Sequence, residues 1–198
     1  MTEDSAVPGE GSAVSSLEEE RKPLLSARAI GYAAAFGAGA LLVVALGLTF
    51  PIPGLNVVTD PRESFVTLGG AFSGPIGAII VGVLAGILEP GTPPIVSIVA
   101  HIGGALFMAI YYKFLVWRLR ENRVPSLALW ILGVLIYYEL VVVPLFTIGL
   151  VVFFPDPEYG GFFGLLVFLW GAVIPEMVLT MIITTIVHAA VPARFRRE

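Results

Sequence analysis

Long apolar runs, separated by short polar clusters, occupy the chain from Ile30 onward. They cover roughly residues 29–50, 64–88, 94–117, 126–153 and 161–190, and each is bounded by Pro, Gly or charged residues. A membrane-crossing helix needs about 20 predominantly apolar residues. Four of the runs therefore predict single crossings. The second run carries a Gly-Pro break near its centre and fits either one crossing or two short helices.

The distribution of basic residues decides between these two interpretations. Cytoplasmic loops of membrane proteins are enriched in Lys and Arg. Of the 11 basic residues in the chain, all except Arg62 fall on one side of the membrane if the second run enters the membrane and returns, turning at Ser73-Gly74-Pro75. These residues are Arg21, Lys22, Arg28, Lys113, Arg118, Arg120, Arg123, Arg194, Arg196 and Arg197. The sequence thus predicts an all-α bundle of six transmembrane segments, the second and third short and Gly-rich, with both termini cytoplasmic.

Three regions follow from this division. Residues 1–27 are rich in Ser, Glu, Gly and Pro, a composition that cannot bury enough apolar surface to fold alone, and predict a disordered cytoplasmic tail. Residues 28–191 form the transmembrane domain, and residues 192–198 form a short basic cytoplasmic tail.

Composition supports a multi-pass protein of the cell membrane. The chain is 57% hydrophobic and 13% charged, whereas soluble domains carry about 25% charged residues. The absence of cysteine excludes disulfides, zinc thiolate sites and thiol catalysis. No basic patch interleaved with aromatic residues indicates nucleic-acid binding. Because P-loop, HExxH and GxSxG motifs are also missing, we expect no enzymatic activity, no cofactor and no metal site.

Ionisable residues within the apolar runs are the first candidates for a binding site. A charged group at the centre of a membrane helix costs about 3 kcal/mol or more, so such residues usually have a function. Glu139, Glu176 and His101 meet this criterion. They fit either a ligand cavity or hydrogen bonds between helices.

The first outer loop and one aromatic residue complete the candidate set. Asp60 and Arg62 lie in this loop and fit either a ligand contact or a solvated turn. Trp170 is a candidate for stacking on a ring-containing ligand.

The segment FPIPGLNVVTDPRESFVTLGGAFSGPIGAIIVGVLAGIL resembles the substrate-binding S components of energy-coupling factor (ECF) vitamin transporters. In that family, a Pro-containing outer loop leads into a short helix, a Gly-Gly pair, a Gly-Pro turn and a Gly-rich third helix. The resemblance implies uptake of a small organic solute or vitamin, with an ECF transmembrane subunit and two ATPase subunits as partners. It also implies that the loop with Asp60 and Arg62 helps to close over the ligand. Ala34 and Ala38 match the family's AxxxA motif, which contacts the transmembrane subunit.

Two other interpretations remain open. The Asp60-Pro61-Arg62 loop and the glycine-rich core after it also resemble the five-helix membrane sensor domain of LytS-type receptors. Alternatively, the protein is a self-sufficient carrier in which Glu139 and Glu176 take up protons during transport. The buried carboxyl groups fit an amine or cationic ring, a hydrogen-bonded vitamin or a metal ion.

Overall fold

A computed structural model describes residues 26–51, 58–89, 92–153 and 161–192 of the chain. The predicted tails fall almost entirely outside these residues and stay predictions. The described part is α-helical, with a short antiparallel pairing of β1 (Phe50–Pro51) with β2 (Val58–Thr59) ahead of the second helix. The helices are α1 (Ala27–Ala45), α2 (Arg62–Gly86), α3 (Pro94–Tyr111), α4 (Arg123–Ile136), α5 (Val143–Phe153) and α6 (Gly161–Ala190).

Short non-α turns extend two of these helices into longer rods. A π-helical turn (Tyr112–Val116) and a 3₁₀ turn (Trp117–Leu119) continue α3. A second π-helical segment (Tyr137–Val142) joins α4 to α5, directly before Pro144, which has no N–H to donate to the preceding turn. By length and composition alone, five helical stretches in the described part of the chain could cross a membrane: Ala27–Ala45, Arg62–Gly86, Pro94–Leu119, Arg123–Phe153 and Gly161–Ala190.

Helix α2 folds back on itself near its centre. Gly74 has φ 70° and ψ 179°, a conformation essentially restricted to glycine, and Pro75 then begins the second half. In a straight helix Arg62 and Ala85 would lie about 35 Å apart, yet the Arg62 guanidinium donates to the Ala85 carbonyl at 3.3 Å. The turn therefore divides α2 into two antiparallel halves of about 18 Å each, which we call the hairpin.

Glycines allow the hairpin to pack directly on the backbone of α3. A Cβ atom added to Gly70 would lie 2.4 Å from the Ala105 carbonyl oxygen, and one added to Gly86 would lie 2.5 Å from the Ile98 nitrogen. Gly82 makes an equally close approach to Ile102. Such close approach is the usual role of small residues between membrane helices. Both halves of the hairpin are thereby held at a fixed depth along α3.

Helix α1 covers the other side of the hairpin. The Ser26 hydroxyl caps the helix by accepting a hydrogen bond from the Ala29 N–H at 3.2 Å. Ala33, Gly37 and Ala40 form the buried face, and Gly37 packs against Leu84 of the hairpin. The opposite face of α1 is exposed.

Helix α6 runs antiparallel to α4 and α5. The Trp130 indole donates to the Thr184 hydroxyl at 3.1 Å, and Tyr138 hydrogen-bonds to Thr180 at 2.9 Å. The His188 ring stacks on Trp130 with centroids 4.6 Å apart. Large apolar side chains remain exposed around the periphery, including Leu42, Leu132, Leu140, Val167 and Ile182.

Charged residues divide between the two ends of the bundle. Asp60, Arg62 and Glu89 lie near the start of α3, and we call this the acidic end. Lys113, Arg118, Arg120 and Arg123 lie around the α3–α4 connection, at what we call the basic end. Because the hairpin reverses direction, α1 begins and α6 finishes at the basic end.

Candidate functional site

Polar side chains from several parts of the bundle converge near the acidic end. The two ends of the hairpin, α3, the π-helical segment and α6 each contribute at least one. The residues are Asp60, Arg62, Glu63, Glu89, Ser97, His101, Tyr137, Tyr138, Glu176 and Thr180. They form two ionic clusters and one cavity wall.

The first cluster is centred on Arg62, whose side chain is buried at the start of the hairpin. Its guanidinium forms a hydrogen-bonded ion pair with Glu89 at the other end of the hairpin and a second ion pair with Asp60 at 3.4 Å. The Asp60 carboxylate also accepts from the Arg62 backbone N–H at 2.8 Å, which caps the helix. Burial raises the pKa of the Asp60 carboxyl, and the nearby Arg62 guanidinium opposes this rise. The cluster ties both ends of the hairpin together.

The second cluster is centred on Glu63, which is only 3% exposed. One carboxylate oxygen lies 2.6 Å from His101 Nε2, and the other accepts a hydrogen bond from the Tyr137 hydroxyl. His101 Nδ1 lies 2.6 Å from the Ser97 carbonyl oxygen. Protonated His101 carries an N–H group on both ring nitrogens and can therefore donate to both oxygen atoms. In this protonation state, Glu63 and His101 form a buried ion pair between the hairpin and α3.

A cavity of about 140 Å³ lies beside these clusters. Its polar wall is formed by Arg62, Glu63, Glu89, His101, Tyr138 and Glu176, and its apolar wall by Val142, Val143, Phe146, Leu169 and Val173. The Tyr138 hydroxyl donates to the Glu176 carboxylate at 3.1 Å and contacts the Thr180 hydroxyl. The cavity is thus amphipathic, with a carboxyl group from α6 on its polar side.

Carboxylates outnumber cations at this site. Asp60, Glu63, Glu89 and Glu176 face Arg62 and His101. Arg62 already pairs with two carboxylates, those of Asp60 and Glu89, and His101 pairs with that of Glu63. Among the described residues, Glu176 has one hydroxyl partner, Tyr138, and no ion pair.

Four of the residues predicted as ligand-binding lie together in this site: Asp60, Arg62, His101 and Glu176. Asp60 and Arg62 do not form an exposed turn, because both belong to the buried cluster at the start of the hairpin. Pro175 precedes Glu176 within α6.

The structure places the other two predicted residues elsewhere. Glu139 does not line the cavity, and its side chain is partly exposed. The Trp170 indole donates to the Glu139 backbone carbonyl at 3.0 Å and also lies outside the cavity lining. This pair links the π-helical segment to α6. Ala34 and Ala38 lie far from the site, on the exposed face of α1.

Sequence reasoning did not group Glu63, Glu89, Tyr137 and Tyr138 into one site with the other residues. The two glutamates flank the second apolar run and resemble ordinary outer-loop residues. The sequence did contain a signal for them. The Gly-Pro break predicts that the second apolar run folds back, and this brings its two ends, with Glu63 and Glu89, close together. The tyrosines gave a weaker signal, because aromatic residues are common in membrane helices.

Polar side chains recur at every fourth residue along one stripe of α6, at Glu176, Thr180, Thr184 and His188. Thr180, Thr184 and His188 are at most 1% exposed and face α4 and the π-helical segment. Ser126 hydrogen-bonds to His188 at 3.4 Å. Toward the basic end, therefore, the α6 stripe holds helices together, and only Glu176 at its other end reaches the cavity.

The fold and site together define a class: a helical bundle, compatible with a membrane, that encloses an acidic, amphipathic cavity. No protein-family model, no curated protein and no solved structure matches the chain.

Proposed function

We propose that the protein is a membrane solute-binding subunit, similar to an S component of an ECF transporter, for uptake of a small organic solute. The observation that carries this proposal is the cavity of about 140 Å³ with a charged wall, placed among apolar helices. Buried charges in such helices are costly and commonly mark solute pathways. A purely structural ion-pair network would not need an open, amphipathic space beside it.

The charge distribution supports an orientation with the cavity toward the outside. The positive-inside rule assigns the basic end, with Lys113, Arg118 and Arg123, to the cytoplasm. The cavity then lies in the outer half of the membrane, because its lining residue His101 lies about 10 Å along α3 from Pro94. A solute from outside would reach it without crossing the whole bundle.

The volume of the cavity limits the size of the solute. Ligand pockets for drug-sized molecules measure about 300–1,000 Å³, more than twice the present cavity. The site as described suits a small solute. A vitamin-sized molecule would require α5 and α6 to move away from the hairpin.

The exposed face of α1 supports a partner subunit. Ala34 and Ala38 project from the bundle with Gly31 beside them, so another helix can approach the α1 backbone closely. We propose that an ECF transmembrane subunit packs here and that its two ATPases power delivery of the solute.

Native mass spectrometry of the gently extracted protein tests the proposal. We expect a retained small molecule, or co-purifying ECF subunits, or both. Replacement of Ala34 and Ala38 by Leu should release the subunits while leaving any bound solute in place. An empty protein that neither binds solutes nor associates with such subunits would contradict the proposal.

A second candidate is a self-sufficient proton-coupled carrier, favoured by one observation. Glu176 lines the cavity with the Tyr138 hydroxyl as its one hydrogen-bond partner among the described residues, as a proton-exchanging carboxyl group would. Solute uptake by the purified protein in liposomes, driven by an imposed pH gradient, would support the carrier. Uptake that requires the ATPases would exclude it.

A further inference from the structure

We propose that the cavity takes a small organic cation, a primary amine with an apolar body, whose ammonium group binds Glu176. This inference rests on the proposed function and specifies its solute class. It follows from which polar groups of the cavity already have partners and which do not.

Three of the four carboxylates at the site are already paired. Asp60 and Glu89 both pair with Arg62, and Glu63 is held by His101 and Tyr137. Glu176 has only the Tyr138 hydroxyl as a hydrogen-bond partner among the described residues. Because four acidic groups face two cationic side chains, a cation beside Glu176 would reduce the acidic excess, whereas an anion would add to it.

The apolar residues that line the cavity indicate what the uncharged part of the ligand should be. Val142, Val143, Phe146, Leu169 and Val173 are the apolar residues of the lining, and Leu169 and Val173 lie on the same face of α6 as Glu176. Tyr138 also lines the cavity, and its hydroxyl donates to the Glu176 carboxyl group at 3.1 Å. An amine with an apolar body satisfies both walls.

Other charged ligands fit less well. An amino acid would need a cation for its carboxylate, but Arg62 is already engaged by two carboxylates. A metal ion needs several oxygen or nitrogen ligands, and among the described residues no group of three or more His, Asp or Glu side chains is arranged to hold one.

The size of the cavity suggests the probe. An apolar cavity of about 150 Å³ accommodates benzene, and this one measures about 140 Å³. Benzylamine therefore tests the inference, with benzyl alcohol as its neutral counterpart and benzoate as its anionic counterpart.

Binding of the three probes is measured by equilibrium dialysis against the purified full chain in lipid nanodiscs. We expect benzylamine to bind roughly 10- to 100-fold more tightly than benzyl alcohol, since a hydrogen bond to a charged group contributes that much. Benzoate should not bind. Glu176→Gln should abolish the preference for the amine, and Glu139→Gln, the same change outside the cavity, should retain it.

A second variant tests the inference if the Glu176→Gln protein does not fold. Val173→Phe should fill the apolar side of the cavity and prevent benzylamine binding while all the carboxylates remain. Equal or tighter binding of benzyl alcohol or benzoate would overturn the cation assignment and leave the solute-binding function standing. Binding of none of the probes would also overturn it, and native mass spectrometry then decides the proposed function separately.

Discussion

Single residues near the acidic end show how charges are stabilised inside this bundle. An isolated charge at the centre of a membrane helix costs about 3 kcal/mol or more. Glu63 offsets this cost with two partners from different helices, His101 at 2.6 Å and the Tyr137 hydroxyl. Removal of one partner of such a pair leaves the other group buried without compensation.

Glu63→Gln should therefore lower the free energy of unfolding by about 1.5–3 kcal/mol, the range for hydrogen bonds to charged groups. Reversible unfolding in mixed micelles measures the change. Glu139→Gln is the matched control and should be nearly neutral, because Glu139 is partly exposed and outside the cluster. Equal effects of both substitutions would contradict the assigned role of Glu63.

At the residue scale, local signals in the sequence pointed to some of the side chains that the structure brings together. His101 and Glu176 stand out as ionisable groups inside apolar runs, and the structure brings them to one site. Glu139 is also an ionisable residue inside an apolar run, but its side chain does not line the cavity. It lies in a π-helical segment, where side-chain positions depart from the 3.6-residue period of an α-helix. The Glu63–His101 pair joins residues 38 positions apart, a distance that no local pattern reveals.

At the scale of elements, the hairpin positions the site. Its two ends meet through Arg62, Ala85 and Glu89, and its turn depends on Gly74. The Gly-Pro sequence marks this turn in the sequence, because glycine supplies the positive φ and proline starts a new helix. Its packing on α3 could not be foreseen, because it depends on which glycines face Ala105, Ile102 and Ile98.

Gly74→Ala should destabilise the protein by about 1–3 kcal/mol, the cost of holding a side chain in this backbone conformation. No atom lies within 4 Å of the added Cβ, so the effect isolates the conformational term. Gly171→Ala on α6 is the control, since its Cβ also meets open space and its φ is ordinary. If both variants unfold alike, Gly74 does not make the turn.

Gly86→Ala tests the hairpin–α3 contact instead of the turn. Its Cβ would lie 2.5 Å from the Ile98 backbone nitrogen, so backbone must move, at about 1–3 kcal/mol. Because Glu89 lies three residues further on, we also expect weaker solute binding. Gly31→Ala, with open space around it, should neither destabilise the protein nor weaken binding. Unaltered stability of Gly86→Ala would mean that the two helices are not in backbone contact.

At the scale of the whole molecule, the hairpin sets the topology. If α2 crossed the membrane once, Thr49 and Thr92 on either side of it would face opposite compartments. Because the chain returns, both should face the side of the acidic end, and Asn122 in the α3–α4 connection should face the other side. The two topologies therefore differ in whether Thr49 and Thr92 lie on the same side of the membrane or on opposite sides.

The chain contains no cysteine, so single-cysteine variants can be labelled without background. We expect a membrane-impermeant maleimide to modify Thr49→Cys and Thr92→Cys in intact cells, and to modify Asn122→Cys only after permeabilisation. The reason is the cluster of basic residues near Asn122, which the positive-inside rule assigns to the cytoplasm in the proposed orientation. Labelling of Thr49→Cys and Thr92→Cys from opposite sides would show one crossing and would exclude the returning hairpin. Labelling of both from the cytoplasm alone would keep the hairpin but invert the bundle, and the cavity would then face inward.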